Sequence, residues 1–69
     1  MIMKYYVSKI AQTNGDHEVH DESCHWLPSP EHRAYVGEYL SCFGAVLDAK
    51  KQYPQSDGCV HCCKPCHQQ

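Results

Sequence analysis

The pattern of hydrophobic and polar positions predicts three short strands. Residues 3–8 alternate loosely between apolar and polar side chains and are rich in β-forming residues, which predicts a first strand. A turn signal at residues 13–16 precedes a second strand at residues 17–20, because the asparagine and glycine of that turn accept positive φ at little cost. Residues 34–39 predict a third strand, in which Gly37 is a weak point or a bulge.

A helix is predicted over residues 42–53, with Ser41 as its N-cap and Pro54 at its end. At helical spacing, one face of this segment carries the apolar side chains of Cys42, Ala45, Val46, Ala49 and Tyr53. A turn at residues 55–58 then leads into Cys59. Three strands and one helix make the expected fold class α+β.

The chain is too short to enclose a large apolar core. It has 69 residues, of which 42% are hydrophobic, and we see no linker that would separate two domains. We therefore expect a single domain over residues 1–69, with residues 64–69 as a frayed tail. Domains of this size usually need a disulfide or a metal ion to hold them together.

The charge of the chain and its N-terminal segment bear on whether the protein binds nucleic acid, enters a membrane or is secreted. The formal net charge is −2 and the six Lys and Arg residues are scattered, whereas nucleic-acid binders usually carry a basic stripe. No apolar run is long enough to cross a bilayer, and residues 1–10 lack the shape of a signal peptide. We therefore expect a cytoplasmic monomer with reduced thiols, no membrane association and no indicated nucleic-acid partner.

Cysteine and histidine residues cluster near both ends of the chain, one cluster in residues 17–24 and the other in residues 59–67. The total of six cysteines would also suit three disulfides. The crowding of four cysteines into residues 59–66, the neighbouring histidines and the expected reducing compartment favour a metal site instead.

The best predicted ligand set for that metal is His20, Cys24, Cys59 and Cys62. Two intervening residues let a tight turn aim the sulfurs of Cys59 and Cys62 at one point, and structural zinc sites commonly combine two such short pairs. The second pair is His20-x-x-x-Cys24, at a strand end and the turn that follows it. In the strand, Glu18 shares a face with His20. One structural Zn²⁺ ion is the expected cofactor.

Other arrangements of the C-terminal cluster stay open. Cys63-x-x-Cys66 has the same spacing as the favoured pair, and mixed pairs that combine Cys59 with Cys63 or Cys66 are also possible. A second ion could be held by His17, Cys63, Cys66 and His67. Cys42, on the apolar helix face, is expected to be a buried and unreactive thiol.

The order of strand, His-x-x-x-Cys, strand, helix and Cys-x-x-Cys resembles the small zinc-binding domain of Ada-type DNA-alkylation repair proteins. It resembles even more a variant of that domain found in short uncharacterised bacterial proteins, and the match falls on His20, Cys24, Cys59 and Cys62. The resemblance spans about residues 3–63 and implies the fold and a single zinc. In the repair proteins a zinc-bound thiolate accepts a methyl group from DNA.

We expect a non-enzymatic zinc module that binds a protein partner or acts as an accessory factor. The alternatives are a thiolate that accepts alkyl groups or takes part in thiol redox chemistry, and a nucleic-acid-binding zinc module. Trp26 and Leu27 are expected to cover the metal site as part of the apolar core.

Overall fold

In the computed structural model, which describes residues 1–68, the protein is an α+β domain, as the sequence predicts. It contains four strands, one α-helix and two short 3₁₀ helices. The strands are β1 (Met3–Ser8), β2 (His17–Asp21), β3 (Arg33–Tyr39) and β4 (Ser56–Gly58), the α-helix is α1 (Cys42–Gln52), and the 3₁₀ helices are Pro30–His32 and Lys64–Cys66. Every helix in this described part of the chain is too short or too polar to span a bilayer.

The four strands form one mixed sheet in the order β3-β1-β2-β4. β1 runs antiparallel to both β2 and β3, whereas β4 runs parallel to β2, with His17 opposite Ser56 and Val19 opposite Gly58. Because β2 and β4 are parallel, their carboxyl ends lie side by side. The residues that follow the two strands therefore start from the same edge of the sheet.

β4 differs from the sequence prediction, which gave a turn for residues 55–58. Its three residues carry no alternating apolar pattern, yet Ser56, Asp57 and Gly58 are all buried. Partners supplied by the tertiary structure stabilise them: the Ser56 hydroxyl donates to the carbonyl of Tyr53, and the backbone pairs with β2. The prediction of three strands was therefore one strand short.

The expected bulge at Gly37 is confirmed. The pairing of β1 with β3 shifts by one residue between Tyr5, which faces Gly37, and Tyr6, which faces Tyr35, so Val36 is the extra residue. Gly37 has a φ of +153°, in a region that side chains disfavour. A Cβ atom at this position would also lie 2.9 Å from the hydroxyl of Tyr39.

The core lies between α1 and one face of the sheet. The predicted apolar face of α1 is the buried one, although Ser41, at the N-cap position, makes no side-chain capping bond. The buried core residues are Tyr5, Val7, Val19, Cys42, Ala45, Ala49, Cys63 and Cys66. Most of these side chains are small, so apolar burial contributes little stabilisation for a whole domain.

Cys42 is not a free thiol, and this corrects the sequence expectation. It forms a disulfide with Cys66, whose Cα atom lies 6.4 Å from that of Cys42. The bond joins the first residue of α1 to the last residue of the C-terminal 3₁₀ helix. The two cysteines are 24 positions apart, so no local sequence pattern indicates that they pair. The apolar pattern of the helix predicts that Cys42 is buried, but it does not predict its bonding partner.

The expected frayed tail is packed against the domain over its described residues. Cys66 is buried, and the backbone N–H of Gln68 donates to the carboxylate of Asp57 at 3.0 Å. Gly58 makes this close approach possible, because a Cβ atom there would lie 2.7 Å from the Cβ of Cys66. Gln69 lies outside the described residues.

We predict that replacing both Cys42 and Cys66 by alanine lowers the free energy of unfolding by about 3 kcal/mol, because the disulfide restricts the unfolded chain over a span of 24 residues. Urea unfolding of the oxidised protein measures this difference. The wild type in a reductant that does not bind metal is the matched control, and its stability should fall by a similar amount. Equal stability of oxidised and reduced wild type would contradict the prediction.

Candidate metal centre

The first half of the site is built where β2 ends. His20, near the end of that strand, is 1% exposed. The carboxylate of Asp21 accepts hydrogen bonds from the backbone N–H and the hydroxyl of Ser23, at 2.9 and 2.8 Å, which closes a tight turn. This turn brings the Sγ atom of Cys24 to 3.5 Å from Nδ1 of His20.

The second half follows β4 at the same edge of the sheet. The backbone N–H of Cys59 donates to the carbonyl of Val19 at 3.0 Å, which continues the pairing of β4 with β2. The N–H of Cys63 donates to the carbonyl of Cys59 at 2.8 Å and closes the turn that carries Cys62. The sulfur of Cys59 lies 3.9 Å from that of Cys24.

The turn after β2 and the turn after β4 bring four potential ligand atoms close to one another. One atom each from His20, Cys24, Cys59 and Cys62 lies within 4.8 Å of all the others. A tetrahedral ion with metal–sulfur bonds of about 2.3 Å has sulfur–sulfur edges of about 3.8 Å and somewhat shorter sulfur–nitrogen edges. The observed separations of 3.9 and 3.5 Å have this size, so the four residues are placed to hold one metal ion.

Backbone N–H groups point at all three sulfur atoms of the site. Trp26 donates to Cys24, His61 donates to Cys59 and Asp21 donates to Cys62, each with a nitrogen–sulfur distance of 3.4 Å. Hydrogen bonds to an ionised acceptor are stronger than those to a neutral one. The site is therefore arranged to stabilise three thiolates.

Without a cation, burial holds these groups in their neutral forms. It raises the pKa of the Cys59 thiol to about 12 and also raises the pKa of Cys24. The pKa of Cys62 is raised by its hydrogen bond with the thiol of Cys63 and by burial, and burial lowers the pKa of His20. A divalent ion must displace three protons when it binds, and the neutral imidazole is ready to coordinate it.

Glu18 lies close to one ring nitrogen of His20, at a distance longer than a hydrogen bond. Its carboxylate oxygen lies 3.6 Å from Nε2 of His20, on the strand face that alternation predicts for both side chains. A carboxylate at this distance favours the tautomer with a proton on Nε2. Nδ1, which lies beside Cys24, is then free to coordinate a metal.

We predict that Glu18→Gln weakens metal binding about tenfold while leaving the fold intact, since carboxylates that orient a ligating histidine typically have effects of this size. Competition with a chromophoric chelator measures the affinity. Glu38→Gln is the matched control, because Glu38 is exposed on β3 and should have no effect. An unchanged affinity in the Glu18 variant would show that the contact does not support the ligand.

The residues considered for a second ion do not come together. Cys66 is in the disulfide, and the ring of His17 stacks on Tyr53 with its Nδ1 2.8 Å from the carbonyl of Ser8. His67 instead contacts the carboxylate of Asp57 at 3.1 Å. In this structure Cys63 and Cys66 do not form the alternative ligand pair, because the sulfur of Cys66 is bonded to that of Cys42 and neither residue belongs to the cluster of metal-binding side chains.

Trp26 is not part of the core, which corrects the sequence expectation. Its side chain is 61% exposed and stacks on His61, with ring centroids 4.9 Å apart and planes inclined by 24°. Leu27 is half-buried. The backbone N–H of Trp26 donates to the sulfur of Cys24, which places the residue at the rim of the site.

The site has a closed side and an open side. His20 and Cys59 are each 1% exposed, whereas Cys24 and Cys62 are half-buried and border a shallow groove. The groove has a volume of about 250 Å³ and is lined by Ser23, Cys24, His25, Trp26, His61 and Cys62. Sequence reasoning missed this groove, because it arises only when the two turns meet.

No protein-family model, curated protein or solved structure matches this chain significantly. The functional assignment therefore depends on the chemistry of the site.

Proposed function

We propose that this protein is a small zinc-binding module in which one structural Zn²⁺ ion ties the end of β2 to the C-terminal turn. The observation that supports the proposal is the convergence of one imidazole and three thiols, whose ligand atoms all lie within 4.8 Å of one another. Soft thiolate ligands with a single imidazole suit zinc, and four protein ligands leave no open coordination position for a substrate. Its role is non-enzymatic, as a binding module for another protein.

Native mass spectrometry of protein produced in zinc-containing medium tests this proposal. We expect one zinc ion per chain under native conditions and none after acid denaturation. A folded chain that carries no metal, or that carries a different metal when zinc is present in excess, would contradict it.

The proposal places the protein in the cytoplasm. A reducing compartment keeps thiols reduced, so Cys42 and Cys66 should be thiols inside cells and form their disulfide after exposure to air. Rapid alkylation of cell lysate followed by peptide mass measurement reports the state of both residues. A disulfide that is already complete in cells would argue for an oxidising compartment.

A second candidate function is alkyl acceptance by a zinc-bound thiolate, and the partial exposure of the residues Cys24 and Cys62 favours it. The thiolate would attack the methyl carbon of a donor, and the leaving group would depart with the electron pair of the broken bond. The product is a thioether at that cysteine.

Incubation of the zinc-loaded protein with a methyl phosphotriester, followed by intact-mass measurement, should show one added methyl group. No adduct at near-stoichiometric donor would exclude this function.

A further inference from the structure

An exposed aromatic surface lies directly beside the candidate metal centre. Trp26, the single tryptophan of the chain, is 61% exposed and stacks on the exposed His61. Their backbone N–H groups donate to the sulfurs of Cys24 and Cys59, two residues earlier in each case. The ligands of the site therefore hold the backbone of both aromatic residues, and the two rings stack on each other beside the site.

The groove next to this stack is small and contains no fixed positive charge. Its volume of about 250 Å³ lies below the range of about 300–1,000 Å³ typical of sites for cofactors and drug-sized ligands. It therefore suits a single side chain better than a whole small molecule. None of the six residues that line the groove, all within the described part of the chain, is lysine or arginine.

The electrostatics of the loaded site favour a cation in this groove. Three thiolates and one Zn²⁺ ion carry a net charge of −1, and two of those sulfurs, from Cys24 and Cys62, border the groove. The carboxylate of Asp21 accepts a hydrogen bond from the hydroxyl of Ser23, which lines the groove, and so adds a negative group beside it. A phosphate group would be repelled here, whereas a cation over an indole face gains a favourable interaction with the ring.

We propose that this groove binds a lysine or arginine side chain of a partner protein, with its cationic head over Trp26 and beside the sulfurs of Cys24 and Cys62. The inference deepens the proposed function, on which it rests, by naming the chemistry of the partner. The side chains of His25 and His61 also line the groove. Guanidinium suits the site best, because it is planar and stacks on aromatic rings.

Fluorescence of the single tryptophan tests the proposal on the zinc-loaded full chain. The probes are an acetylated and amidated Gly-Arg-Gly peptide and the same peptide with neutral citrulline in place of arginine. We expect a saturable change in emission with the arginine peptide, and at least fivefold weaker binding of the citrulline peptide. Equal binding of the two, no binding of either, or preferential binding of a single-stranded oligonucleotide would overturn the proposal.

Two variants separate the stacking interaction from a general charge effect. Trp26→Leu should weaken binding of the arginine peptide about fivefold when measured by calorimetry. Tyr35→Leu removes an aromatic side chain that is 55% exposed on β3 and should leave the affinity unchanged. Equal affinity in the Trp26 variant and the wild type would also overturn the proposal.

Zinc content, measured by native mass spectrometry on the same samples, distinguishes the two possible failures. A zinc-loaded protein that shows no preference for the arginine peptide would overturn the groove proposal alone. A protein without zinc would overturn the proposed function as well.

Discussion

Replacing Cys59 by serine should abolish zinc binding and unfold the domain. Cys59 is 1% exposed, and its sulfur lies among the other ligands of the site, so the variant loses one of three thiolates at a position that solvent cannot fill. Structural zinc contributes about 10–16 kcal/mol to the folding of small domains, which is as large as the whole stability of a typical protein. Metal content and the dispersion of the amide NMR spectrum measure both losses.

Cys63→Ser is the matched control for this prediction. Cys63 is also 1% exposed and its sulfur lies 3.7 Å from that of Cys62, but it is not among the four clustered ligands. The variant should keep one zinc ion and lose about 1–3 kcal/mol for burying a hydroxyl group. Loss of zinc in the Cys63 variant, together with its retention in the Cys59 variant, would show that the ligand assignment is wrong.

Removal of zinc from the wild-type protein should also unfold the domain, as the Cys59→Ser substitution does. The core contains small side chains such as Ala45, Ala49 and Val19, which provide little apolar surface to offset the loss of chain entropy. The disulfide between Cys42 and Cys66 restricts only the helix and the C-terminal turn, so it does not replace the link to β2.

Far-ultraviolet circular dichroism during titration with a strong chelator measures this effect. We expect the strand and helix signals to disappear as zinc is withdrawn and to return when zinc is added back. An equivalent titration with zinc-loaded chelator is the control for nonspecific effects of the reagent. A native spectrum that persists at full chelation would mean that apolar packing and the disulfide suffice.

The elements with a local signal were predictable from the sequence. Residues 3–8 and 34–39 have side chains that favour strands, the apolar face of α1 repeats at helical spacing, and the structure has elements at these positions. The four clustered ligands were predictable because two short pairs of metal-binding residues have spacings that tight turns can satisfy.

The remaining features depend on contacts between distant parts of the chain. β4 consists of three residues that pair in parallel with β2, and no apolar alternation marks such a strand. The disulfide joins Cys42 to a cysteine that the sequence assigned to a frayed tail. Trp26 is of a residue type that usually packs in the core, but here it lies at the rim of the metal site and stacks on His61, 35 positions further along the chain.

X-ray absorption at the zinc edge tests the central claim most directly, because it counts the ligands of the bound ion and measures their distances. The structure predicts three sulfur atoms at about 2.3 Å and one nitrogen atom at about 2.0 Å. A shell of four sulfur atoms, or a shell with oxygen ligands in place of sulfur, would contradict the assignment of His20, Cys24, Cys59 and Cys62 as the complete metal site.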